Sequence, residues 1–349
     1  MASSVASALH RIKRKLIGRA VTDQEMRAFE PVMIEQVGIL LRKFFQASSV
    51  RSVTEEVNMT PNLKHLSYDI VGYLAFGYPL KLQDDESSHF IIDELLWQLS
   101  PEYFFLDLFP NSQRVQLFNL IETMIKACLA QDKDAKRQLF YAADDFKGVQ
   151  GLRLGNIWSE AIFFLPAEVN TTSTALASVF YLWLNLACYM KLADEVRNAF
   201  KSNAEIRSSP QLAGTLWRQL VRDQSNPDPW IIDRCVVPTG TEVAVNIYTL
   251  HHNEEYFPDP FSFKPERWLD FIDGEDEGEF RNGATHDAFV STGSRGCAGK
   301  PMAYLESSLV IARTLWYFDF EATPGKSGKA GSGRKVDRYG RGTESEFQL

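Results

Sequence analysis

Residues 161–190 form the most apolar stretch of the chain, interrupted by Glu168, Asn170 and several threonines. A membrane span needs about 20 predominantly apolar residues, and this stretch nearly supplies them. Its polar residues gather at one point, where chemistry could use them, which fits a long buried core helix better than a lipid-facing one. A helix apolar on most of its surface must be surrounded by other elements. The 349-residue chain is long enough to surround it and to enclose an internal ligand. At 45% hydrophobic and 23% charged residues it has the composition of an ordinary folded protein. That excludes a disordered chain, a collagen and a coiled-coil rod.

The rest of the pattern is mainly helical. Residues 7–22 read as a basic helix. Residues 24–47 read as an amphipathic one, with Met26, Phe29, Val32, Met33, Val37, Leu40, Leu41 and Phe44 at helical spacing and Asp23 as its cap. Residues 60–78, 88–99, 113–131 and 157–202 also read as helices, punctuated by Pro101, Pro110 and residues 144–155. The texture changes from Gly214 onward. Val236, Val237, Val243, Val245 and Ile247 flank Pro238-Thr239-Gly240, a turn between short strands. Residues 253–288 read as an ordered but irregular loop, and 298–317 as a last helix. The expected class is mainly α with a small β portion. Residues 1–323 are expected to form one domain, 324–345 a flexible Gly/Lys/Ser-rich segment, and 346–349 a terminal strand.

Charge and cysteine usage narrow the functions. A net charge of −8 argues against phosphate-backbone binding, so no nucleic-acid partner is expected. The four cysteines, Cys128, Cys188, Cys235 and Cys297, make no C-x-x-C pair, which argues against a disulfide framework and a structural zinc site. Cys128, Cys188 and Cys235 read as buried, inert cysteines. His251 and His252 read as a helix-end or loop pair, because no third ligand lies at suitable spacing. Residues 1–15 hold no long apolar run. They are Ser/Ala/Arg-rich and acid-free, loosely like a mitochondrial transit peptide, but read better as a basic helix of the protein itself.

Cys297 stands apart from the other three. In Ala288-Phe289-Val290-Ser291-Thr292-Gly293-Ser294-Arg295-Gly296-Cys297-Ala298-Gly299-Lys300-Pro301, three glycines surround one cysteine, and an apolar helix follows. Glycines permit a tight turn in which backbone N–H groups point at the sulfur. A helix N-terminus adds positive potential. Both favour thiolate over thiol. Such a thiolate serves as a nucleophile or as a metal ligand. The nucleophile reading would make the chain a cysteine hydrolase and needs an oriented histidine base. His286 lies near in sequence, but nothing nominates it for that role.

This segment resembles the haem-binding signature of cytochromes P-450, F-x-x-G-x-R-x-C-x-G, matched by Gly293, Arg295, Cys297 and Gly299. The aromatic position holds Val290, with Phe289 one residue early. The resemblance implies that Cys297 is the axial thiolate of haem b, that Arg295 pairs with a haem propionate, and that Gly299 lets the next helix approach the porphyrin. Other matches follow in the family's chain order. His10 and Arg14 resemble the W-x-x-x-R helix that reaches the propionates, and i, i+4 spacing puts them on one face. Leu216-Trp217-Arg218 resembles the strand that supplies another propionate-binding arginine. Phe263-Lys264-Pro265-Glu266-Arg267-Trp268 resembles the P-E-R-F/W element. Phe164-Leu165-Pro166-Ala167-Glu168-Val169-Asn170-Thr171-Thr172 resembles the A-G-x-D/E-T-T motif, whose acid and threonine relay protons during oxygen activation. Thr171 matches that threonine. Glu168 stands in place of the glycine, as an obstruction of the oxygen groove or as a proton donor. Asn170 stands where an acid is common and cannot release a proton as an acid does. Leu192-Ala193-Asp194-Glu195-Val196-Arg197, residues 251–258 and Glu346-Phe347-Gln348-Leu349 resemble filamentous-fungal members that tailor secondary metabolites.

Two pieces of the family are missing. The chain begins at the W-x-x-x-R-like helix, without the membrane anchor and the first helices and sheet. The family's E-x-x-R helix should precede Leu216, yet Ser208-Ser209-Pro210-Gln211-Leu212-Ala213-Gly214 runs straight into that strand. Arg267 would lose its partners there, and breaking a buried ion pair typically costs about 3–5 kcal/mol.

The resemblance implies a haem-thiolate monooxygenase that puts one oxygen atom of O2 into a lipophilic small molecule, with electrons from NADPH through a reductase. A local basic face at Arg11, Lys13, Arg14 and Lys15 could dock that reductase. The two losses imply the alternative, a non-catalytic remnant with impaired haem binding. The family's usual place is the endoplasmic reticulum membrane, facing the cytosol. Without the anchor, this chain is expected to be cytosolic or peripheral.

Overall fold

The computed structural model describes residues 18, 21–49, 57–92, 112–130, 154–182, 186–207, 220–223, 229–232, 234–245, 247–261 and 297–320. The chain divides into two compact units, residues 1–10 with 215–297, and residues 11–214 with 298–349.

The second unit is helical and contains the hydrophobic core. Helix α1, Asp23–Ser49, follows the expected period, with Met26, Met33, Val37, Leu40, Leu41 and Phe44 buried. Asp23, expected as its cap, is the first helical residue. Thr22 caps instead, its Oγ1 accepting from the Glu25 amide at 3.3 Å. The hydroxyl one residue earlier reaches an open amide of the first turn, which is what an N-cap does. Pro31 lies inside α1 at an exposed position.

Helix α2, Met59–Phe76, is capped by Asn58 at its start and closed by Gly77 at φ 63°. Only a residue without Cβ adopts that left-handed geometry freely. The Gly77 amide then reaches the carbonyls of Gly72 and Tyr73. The chain turns back along α2, and the buried Asp69 carboxylate accepts the amides of Leu82 and Gln83 at 2.8 and 3.0 Å. Burial raises its pKa, while those two amides oppose the shift. Of the helix expected over 88–99, a 3-10 turn at Glu86–Ser88 and a helical start at residues 90–92 are described.

Helix α3 spans Ser112–Ala130. The single helix expected over 157–202 is two, α4 at Leu154–Leu182 and α5 at Leu186–Ala199. Residues 183–185, Trp-Leu-Asn in sequence, lie outside the described residues. Helix α4 packs principally on α2 and also meets α3 and the last described helix, Lys300–Tyr317. That last helix also packs on α1 and α5. Around its C-terminal end, Arg197 of α5 donates to the carbonyls of Leu315 and Phe318 and to Asp319, and Tyr189 also donates to Asp319. No helix among the described residues is long and apolar enough to cross a membrane.

The first unit holds the strands: β1 Leu220–Asp223, β2 Trp230–Ile232, β3 Cys235–Val237 and β4 Glu242–Val245. The turn at Pro238-Thr239-Gly240 does separate two strands, but they belong to different ladders. β1 pairs antiparallel with β4, and β2 with β3. Gly240 at φ 86° allows the turn, which the Thr241 amide closes onto the Pro238 carbonyl at 3.3 Å. Helix α6, Ile247–His251, follows. His251 ends it and His252 comes next, their rings against Phe257 and Phe261. The Lys300–Tyr317 helix is α7 and completes the described elements. The expected class, mainly α with a small β portion, is what the structure shows.

Candidate functional site

Helix α4 carries Glu168, Asn170, Thr171 and Thr172 within two turns. The hydroxyls along this helix turn back on its backbone. Thr171 donates to the carbonyls of Ala167 and Glu168, both at 2.9 Å, Ser173 to Val169 at 2.6 Å, Thr174 to Asn170 at 2.6 Å and Ser178 to Thr174 at 2.7 Å. Such back-bonding satisfies a hydroxyl inside an apolar setting. It explains how a polar cluster sits in the most apolar stretch of the chain. It also fixes what Thr171 offers: its proton is given to the backbone, so the oxygen presents lone pairs.

Glu168 is half-buried as a residue, but both its carboxyl oxygens are closed off from solvent. The carboxyl lies beside Glu306 of α7 and the Thr172 hydroxyl. Burial drives its pKa well up, and the neighbouring Glu306 charge drives it further. Glu306 is wholly buried, and its Oε1 accepts from Ser67 of α2 at 2.6 Å. Burial raises its pKa as well. Neither oxygen of Glu168, nor Oε2 of Glu306, has a partner in good hydrogen-bonding geometry.

Glu306 went unread in the sequence, although a signal was there. It stands at helical spacing among Met302, Leu305 and Leu309, all buried, so a carboxyl occupies the inward stripe of an apolar helix. An acidic residue there is expensive unless something compensates it.

Cys297 is a free, exposed thiol three positions before α7. Gly299 occupies the cap position at φ −79°, ψ 4°, its carbonyl accepting from the Ala303 amide at 3.0 Å. Pro301 sits in the first turn, where its missing N–H leaves no gap. Among the other cysteines Cys128 is buried, but Cys188 is only half-buried and Cys235 is exposed. Cys235 departs from the expectation of burial because it sits on the β2–β3 ladder, where Ile231, Ile232 and Val236 also face solvent. His10, Arg14, Arg218, Arg267, Gly293 and Arg295 lie outside the described residues. Among the described residues no three histidine, cysteine or acidic side chains are grouped to hold a metal ion.

A sequence model of the cytochrome P450 family matches residues 4–213 and 216–334. A cytochrome P450 monooxygenase of Alternaria alternata is 28% identical over 380 residues, covering 97% of this chain and 72% of the relative. One of Gibberella zeae is 28% identical over 388 residues, covering 99% and 87%. One of Gibberella fujikuroi is 30% identical over 306 residues, covering 76% and 81%. The Alternaria comparison uses 97% of 349 residues, about 339, against 380 aligned positions. About 40 positions of that relative thus have no counterpart in this chain. The family match itself breaks at residues 214–215, beside the stretch 208–217 in which the sequence carries no E-x-x-R.

Proposed function

This chain belongs to the cytochrome P450 family, and from that premise we propose that it is a haem-thiolate monooxygenase of fungal secondary metabolism that inserts one oxygen atom of O2 into a lipophilic small molecule. The observation that carries the reading is Cys297, a free and exposed thiol at the signature's cysteine position. The donor chemistry fits the cofactor. Haem needs one strong axial donor from the protein, and the free, exposed thiol of Cys297 can supply it. When bound, the haem supplies oxygen activation and accepts the electrons.

The chain's own residues would bind, orient and move protons. Cys297 would hold the iron, with His10, Arg14, Arg218 and Arg295 on the propionates and Gly299 giving the porphyrin room. Thr171 keeps its hydroxyl proton on the α4 backbone. Its oxygen can therefore accept from a donor, and the proton must come from elsewhere. Asn170 cannot release one. Glu168 can hold one, because its carboxyl is driven toward the acid form by burial and by Glu306. Electrons would come from NADPH through a reductase docked on the basic face of residues 11–15.

A second reading, a non-catalytic remnant with impaired haem binding, is favoured by the break in the family match at residues 214–215. One experiment separates the two. The haem-reconstituted chain is supplied with NADPH, reductase, isotopically labelled O2 and a panel of lipophilic fungal metabolites. A product carrying one labelled atom is expected. If no substrate takes up label while the reductase still delivers electrons to the haem, the monooxygenase reading is overturned.

A further inference from the structure

Four polar side chains on three helices are neighbours: Ser67 of α2, Glu306 of α7, and Glu168 and Thr172 of α4. The Ser67 hydroxyl donates to Glu306 Oε1 at 2.6 Å. The Glu306 carboxyl meets that of Glu168, which in turn meets the Thr172 hydroxyl. Ser67, Glu306 and Thr172 are each no more than 3% exposed. Two carboxyls in contact can bond to each other only if one of them carries a proton. Three of their four oxygens otherwise lack a partner. Buried polar atoms rarely remain so.

We propose that Glu168 and Glu306 hold a single proton between them, with Glu306 as the positioning residue that keeps this proton on α4. The inference stands whether or not the chain turns over a substrate, because it concerns the folded protein alone.

Among the described residues no other charged group rivals the proton. Helix α2 also carries Lys64, His65 and Asp69, α3 carries Glu122 and Lys126, and α7 carries Lys300 and Arg313. None of these is among the groups acting on either carboxyl. His65 stacks on His89 at 4.0 Å and is itself held neutral, its pKa lowered to about 4 by burial and neighbouring positive charge. Arg313 donates to the Ile206 carbonyl instead. Burial raises both carboxyl pKa values; the Glu306 charge raises that of Glu168 further, while hydrogen bonding to Glu168 and Ser67 opposes the shift of Glu306. The two titrate as a unit.

The folded pair therefore binds a proton that the unfolded chain has released above the ordinary carboxyl pKa. Stability falls as pH rises through that window, up to the pH at which the folded pair also lets go. One extra bound proton changes the unfolding equilibrium constant by up to about tenfold per pH unit. The test has two parts on the full chain. The infrared spectrum of the unaltered protein at neutral pH is expected to show a buried carboxylic acid band that shifts in D2O. Its absence overturns the proposal without recourse to any variant. Unfolding is then followed from pH 5 to pH 8 in the unaltered chain and in the double variant Glu168→Gln/Glu306→Gln. The double variant, with no carboxyl left to hold the proton, is expected to lose stability less steeply with pH than the unaltered chain, by a factor approaching tenfold per unit. Profiles that stay parallel, with only a uniform offset, would show that the pair holds no extra proton and overturn the proposal.

Discussion

Replacing Cys297 with serine will abolish oxygen insertion and leave the fold in place. The side chain is exposed, so exchanging sulfur for oxygen disturbs no packing. Exposed substitutions of this kind stay within about 0.5 kcal/mol. The chemistry is another matter. A thiolate pushes electron density onto haem iron in a way that favours O–O cleavage, and a serine hydroxyl does not. Cys235→Ser is the matched control, since Cys235 is exposed as well and lies on the β2–β3 ladder. Labelled oxygen should enter product at the unaltered rate in that control and not at all in Cys297→Ser, with the same thermal unfolding midpoint in the haem-free form of both. Undiminished insertion by Cys297→Ser would remove Cys297 from the site.

Truncating Phe76 to alanine will cost about 3–5 kcal/mol, the range for deleting a buried aromatic ring. Phe76 is wholly buried at the end of α2. Helix α2 forms the principal contact of α4 and carries Ser67, which bonds Glu306. A domain is typically stable by about 5–15 kcal/mol, so the variant loses a large share. Denaturant unfolding should show the midpoint falling at unchanged slope. Val115→Ala on α3, at a position 51% exposed, should shift it by less than about 0.5 kcal/mol. Equal effects in the two variants would mean that the α2–α4 contact does not dominate stability.

Helices with a regular apolar stripe were legible in the sequence. Those at Asp23–Ser49, Met59–Phe76, Ser112–Ala130 and Lys300–Tyr317 lie within two residues of the spans their periodicity implies, because burial on one face imposes that period. Features set by long-range contact were not legible. The Arg197–Asp319 and Tyr189–Asp319 contacts join residues more than a hundred positions apart. The turn at Gly240 was readable from its residue types, but the assignment of its flanking strands to two ladders was not. In the site, the motif pointed to Glu168 as a departure from glycine. The direction of its carboxyl depends on Glu306, which no short motif connects to it. Cys297 was legible because glycines, arginine and a following helix coincide in one short segment, whereas Cys235 carried no signal that would mark it as exposed.

The central claim is that Cys297 holds haem iron although the family match breaks at residues 214–215. The most direct measurement is the reduced, CO-bound difference spectrum of the purified chain reconstituted with haem. The expected result is a Soret band at the long-wavelength position of thiolate-ligated ferrous–CO haem. Failure to take up haem, or a band at the shorter wavelength of a lost thiolate, would contradict it and identify the chain as a remnant that no longer holds its cofactor.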